Sequence, residues 1–133
     1  MKKRHIILLL TVFVSFFTAC TLLRPQESIE SIDFGGQGGF MAQKTLFTLY
    51  QNGKIYKEDT LIMQLDSKQV DSLFLQAAAL QNPIEHPGSF SYFLTVNTPH
   101  SHKTWVWTPD YKGDSTIENL NSLYHTLLEI VKH

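Results

Sequence analysis

Two stretches of the chain carry a helical period. Val70, Leu73, Phe74, Ala77 and Leu80 recur at i, i+3, i+4 and i+7, which puts them on one stripe of a helix. Asp66 precedes the stripe and Gln69 lies three residues later, a capping-box pattern that sets the helix start. Asn82-Pro83 stops it, because proline excludes helical geometry for the residue before it. The second stripe runs Ile117, Leu120, Leu123, Tyr124, Leu127, Leu128 and Val131, with Ser115 and Glu118 as a second capping box.

Elsewhere the pattern is strand-like. Residues 28–34 (SIESIDF) alternate imperfectly and predict a first strand. Residues 44–50 (KTLFTLY) are rich in β-formers, and Asn52-Gly53 signals a hairpin of type I′, whose central residues both take positive φ. The return strand begins at Ile55 and runs, with an interruption, toward Met63; Glu58 and Asp59 in it would point to opposite faces. Residues 83–89 read as a loop. Phe90, Tyr92, Leu94 and Val96 share one strand face, residues 98–102 (TPHSH) turn the chain, and residues 103–108 return. Trp105 and Trp107 lie on one face of that strand and predict core rather than an exposed sugar- or lipid-binding stripe. The order β-β-β-α-β-β-α predicts an α+β domain, an antiparallel sheet of about five strands with two amphipathic helices on one face.

Between the first two strands lies DFGGQGGFM, which holds four of the seven glycines. It is not a phosphate cradle. No Gly-Lys-Ser/Thr occurs, and Met41 stands where a dinucleotide fingerprint needs its last glycine. The run leads into the strand-like residues 44–50, so no helix N-terminus would face an anion. Two readings remain: a structural turn using positive φ, or a binding loop built from Gly35, Gly36, Gln37, Gly38, Gly39, Phe40 and Met41. Phe40 and Met41 are anchors if exposed and core if they open the second strand.

The N-terminus changes the picture of where this domain sits. Lys2, Lys3, Arg4 and His5 precede a twelve-residue apolar stretch, residues 6–17, that ends at Thr18-Ala19-Cys20. That layout is a secretory signal, too short for a spanning helix of about 20 residues. Cys20 is the sole cysteine, so no disulfide forms within the chain. FTAC resembles the bacterial lipobox. The resemblance implies cleavage after residue 19, lipidation of Cys20 by palmitate-type acyl chains, and stable membrane attachment through more than one chain. Thr21, where an inner-membrane retention signal would carry Asp, implies the outer membrane of a bacterial envelope. Residues 1–19 are then signal peptide, 20–27 the lipidated cysteine and tether, and 28–133 a single domain.

Cleavage removes three of the 11 basic residues and none of the 12 acidic ones, taking the net charge from −1 to −4. A mildly acidic domain is a poor nucleic-acid binder. His86, His100 and His102 are the remaining candidates for a metal or a hydrolase, but zinc needs three or four convergent ligands. Asp110 and Asp114 have no evident base partner, and no G-x-S-x-G elbow occurs. The expectation is a non-enzyme without cofactor or metal.

Three further pieces carry a resemblance: Gly38-Gly39-Phe40; residues 90–96 (FSYFLTV); and residues 102–107 (HKTWVW). Their order around a central helix, with a closing helix after them, resembles the emfourin family over residues 29–132. The resemblance implies a small bacterial α+β protein that inhibits thermolysin-type metallopeptidases. The lipid signal and the continuation Met41-Ala42-Gln43 are this chain's own. The expectation is a membrane-anchored binding module whose glycine-rich loop engages a metallopeptidase or another envelope protein. The alternative is a structural or accessory envelope lipoprotein with no loop-mediated activity.

Cys20→Ala should abolish metabolic incorporation of labelled palmitate and move the protein from the membrane pellet to the soluble fraction; a pelleted, unlabelled wild-type chain would contradict lipidation.

Overall fold

The computed structural model describes residues 28–40, 43–113 and 115–133. The expected signal peptide and tether, with Cys20, and also Met41, Ala42 and Asp114, lie outside the described residues. The elements are β1 (Ser31–Gly38), β2 (Gln43–Tyr50), β3 (Lys54–Lys57), β4 (Thr60–Gln64), α1 (Ser67–Ala78), β5 (Glu85–His86), β6 (Phe90–Asn97), β7 (His102–Trp107) and α2 (Ser115–Lys132). The class is α+β. The sheet has seven strands in the order β4-β3-β2-β1-β6-β7-β5, not about five.

Two expectations failed here, each for a local reason. The interrupted strand after Ile55 is a complete reversal, with β3 pairing antiparallel to β4 across Glu58-Asp59. Glu58 takes φ +53, the left-handed region, where a glycine or asparagine would have advertised a turn. Glu58 and Asp59 are therefore turn residues and not opposite-facing strand residues. The predicted loop 83–89 contributes the two-residue β5, which pairs parallel to β7 at Glu85↔Val106 and His86↔Trp107. The sheet is thus mixed rather than antiparallel. A strand of two residues is too short to show a period, and the pairing rests on backbone groups.

The hairpin at Asn52-Gly53 forms, but not as type I′. Only Gly53 has positive φ, +87, and its N–H bonds the Tyr50 carbonyl at 2.9 Å. The loop is three residues long, with glycine in the left-handed position that completes it. A β-carbon there would meet the Leu65 carbonyl oxygen at 2.4 Å, so glycine is required on two counts.

β1 is central. It pairs β2 on one side (Phe34↔Phe47) and β6 on the other (Phe34↔Leu94), both antiparallel. It extends to Gly38, so most of the glycine run is strand rather than loop. Alternation puts Ile32, Phe34, Leu49, Ile55, Leu94, Val96, Trp105 and Trp107 on one face. These join Val70, Leu73 and Ala77 of α1, and Ile117, Leu120, Leu123, Tyr124 and Leu127 of α2, in one buried cluster. The tryptophans are core, 1% and 0% exposed, as expected. Each indole N–H is satisfied: Trp105 Nε1 donates to the Asn82 carbonyl (3.0 Å) and Trp107 Nε1 to Asn121 Oδ1 (2.9 Å).

α1 starts where its sequence says. Asp66 accepts from the Gln69 N–H at 2.9 Å, and the Gln69 side chain reaches back to the Asp66 N–H. The closing helix includes Ser115 as its first residue, not its cap. The opposite sheet face carries polar contacts at the middle of β1. Asp33 accepts from Thr48 Oγ1 (2.7 Å) and Asn97 Nδ2 (3.0 Å), which ties β1 to both its neighbours.

One bond crosses from helix to central strand: the Tyr124 hydroxyl donates to the Gly35 carbonyl at 2.7 Å. Burial, and secondarily Tyr92 beside it, pushes the Tyr124 phenol well above its ordinary value. The folded state therefore favours the neutral phenol. Above about pH 10 the unfolded chain ionises first, so this contribution is complete below that pH and fades above it. Tyr124→Phe should cost about 1–2 kcal/mol at neutral pH in urea titrations, and should flatten the fall in stability between about pH 10 and 12. An unchanged alkaline slope would contradict the assignment.

Candidate functional site

The glycine run ends in a turn at one end of the sheet. Gly38 and Gly39 have φ +96 and +83, so the positive-φ turn expected from the sequence forms. It is pinned rather than loose. The Gly39 N–H donates to the Ser89 carbonyl at 2.6 Å, and a β-carbon on Gly38 would lie 2.4 Å from that same oxygen. The turn and the segment before β6 thus pack backbone to backbone, which only glycine permits.

Phe40 comes directly after the turn and stands wholly in solvent, at 107% relative exposure. Of the two sequence alternatives for this residue, exposure is what the structure has. Gly35, Gly36, Gln37 and Gly38 lie in β1 behind it, and Gly39 lies in the turn with it. The candidate loop is therefore a short apolar tip mounted on the end of a central strand.

A residue that sequence reasoning missed stands beside the tip. Phe90 has the inward-facing parity expected of it, yet sits at the strand end and is 42% exposed. Its ring covers Gly36, where a β-carbon would lie 2.9 Å from Cζ. From there aromatic rings lead inward. Phe90 meets Tyr92 edge-on at 5.7 Å, Tyr92 meets Tyr124 at 4.6 Å, and Tyr124 meets Trp107 at 5.1 Å. Lys44, just past the turn on β2, holds its ammonium 5.0 Å above the Phe93 ring. The only available signal for Phe90 was its place at the first position of its strand, opposite Gly38.

The other sequence candidates do not converge. His86 pairs beside Trp107 at one end of β7, and His102 opens the other end, about 16 Å away at strand rise. The His86 ring lies on Tyr111 at 4.4 Å. Among the described residues no group of three or more His, Cys, Asp or Glu could hold a metal ion. Asp110 sits exposed in the turn after β7. Among the described residues no helix is long and apolar enough to cross a membrane. No family model matches the chain, and no curated protein matches it.

The tip and its mount separate by mutation. Phe40→Ala should change stability by no more than about 0.5 kcal/mol, since the ring buries nothing in the free protein. Gly38→Ala should cost more than about 1 kcal/mol, because it forces a side chain into positive φ against Ser89. Thermal melts of the two variants check both, and the reverse order would place Phe40 in the core.

Proposed function

We propose that this chain is a lipoprotein, anchored in the outer membrane of a bacterial envelope through acylated Cys20, whose single domain is a non-catalytic protein-binding module. The partner engages the segment Gly35–Met41, with Phe40, on the turn after β1, as the anchor. What supports the reading is the full exposure of Phe40 on a turn that two glycines and the Ser89 carbonyl hold in place. A large aromatic ring presented on a pre-organised backbone loses little conformational freedom on binding, which is how interface anchors act. We take both helices to cover the same face of the sheet, since their buried residues join one cluster with one set of strand positions. That arrangement leaves the β1–β2 end free for a partner.

The resemblance to the emfourin family names the partner class, a thermolysin-type metallopeptidase. The tip would then occupy the peptidase's apolar cleft and act by occlusion, because this module brings no catalytic group of its own. Titrating the full chain against such a peptidase should give saturable inhibition. Phe40→Ala should weaken it by roughly 30-fold, the scale of a hot-spot truncation of about 2 kcal/mol. Absence of inhibition would sink the peptidase reading, and inhibition indifferent to Phe40 would sink the tip.

A further inference from the structure

A second surface lies away from the tip, at the other side of the sheet. β2 and β3 put Tyr50 and Tyr56 on the face opposite Leu49 and Ile55, because neighbours along a strand alternate. Tyr50 is 45% exposed, and its ring meets Tyr56 at 5.6 Å and 90°. Around the pair is a hollow of about 380 Å³ rimmed by Asn52, Lys54, Glu58 and Asp59. Two turns build the rim. The Asn52 side-chain oxygen accepts from the Lys54 N–H at 3.0 Å, which fixes one end. The left-handed Glu58 sets the other, at the β3–β4 reversal.

The lining selects by chemistry. An exposed tyrosine face offers a flat apolar surface with a polar tip. Glu58 and Asp59 accept hydrogen bonds, Lys54 donates, and Asn52 carries an amide that can do both. Two carboxylates disfavour an anionic ligand, and together with the Lys54 ammonium they offer acceptors and donors side by side, which a ligand bearing hydroxyls can use at once. What matches an apolar floor with donors and acceptors at its edge is a neutral ring with a C–H face and hydroxyls around it. The geometry points to a saccharide-binding site, in which a pyranose ring stacks on Tyr50 and its hydroxyls bond to Asp59, Glu58 and Lys54. This surface is independent of Phe40 and does not rest on the binding reading of the tip.

The test uses the full chain in a detergent without sugar headgroups, with cellotriose as the probe, because its equatorial hydroxyls leave flat C–H faces. Saturation-transfer NMR should show magnetisation passing to the ring C–H protons. Tyr50→Ala should weaken binding about ten-fold, Tyr50→Phe should keep it, and Phe40→Ala should leave it unchanged. If Tyr50→Ala fails to fold by circular dichroism, Asp59→Ala on the exposed turn decides, with a loss of several-fold expected. No transfer to cellotriose, transfer equal in a folded Tyr50→Ala or in Asp59→Ala, or preferential binding of choline as a cationic probe would each overturn the assignment.

Discussion

The close approach of other groups to β1 is the constraint on which the rest of this structure depends. A β-carbon at Gly35 would strike the Thr45 carbonyl oxygen at 1.8 Å, and one at Gly36 would meet the Phe90 ring at 2.9 Å. A central strand ordinarily stabilises a sheet through side chains packed on both faces. Here the three glycines of β1 give up that packing, and its neighbours move in. Phe93 lies against Gly35 on one side and Phe90 over Gly36 on the other, and the Tyr124 hydroxyl reaches the Gly35 carbonyl. The lost side-chain contacts are replaced by aromatic rings from β6 and a bond from α2.

That replacement links core to tip. The ring series from Trp107 through Tyr124 and Tyr92 ends at Phe90, beside the turn that carries Phe40. An anchor on a loose loop would lose much of its binding energy to ordering. An anchor continuous with a glycine-pinned strand, as proposed for Phe40, would not. The same segment therefore serves two ends, since its glycines permit close packing within the sheet and positive φ at the turn.

Legibility tracked how local each cause was. The start of α1 was readable because its cap and stripe lie within a few residues of each other, from Asp66 to Ala77; its end was not, since the helix closes at Ala79, before Asn82-Pro83, and leaves Leu80 beyond it. β6 was readable because alternation over eight residues is a strong signal. The β3–β4 reversal was not, since Glu58 adopts a left-handed conformation that residue type does not announce. β5 was not, since a two-residue strand exists only through its pairing with β7. Of the candidate site, the turn at Gly38-Gly39 was legible, but its contact with Ser89 was not. The Tyr50–Tyr56 pair could not be read either, because it depends on the register of two strands around a three-residue hairpin.

By itself the sequence determined the α+β class, both helices with their buried stripes, the core placement of both tryptophans, and the absence of a phosphate-binding motif. These rest on period, capping and spacing, which act within a few residues. Tertiary structure alone decided the two strands beyond the expected five, the mixed sheet, the separation of His86 from His102, and the exposure of Phe40 beside Phe90. Each of these depends on which distant backbone lies alongside, and that is fixed only when hydrogen-bond pairing and the burial of apolar faces are satisfied together across the whole domain.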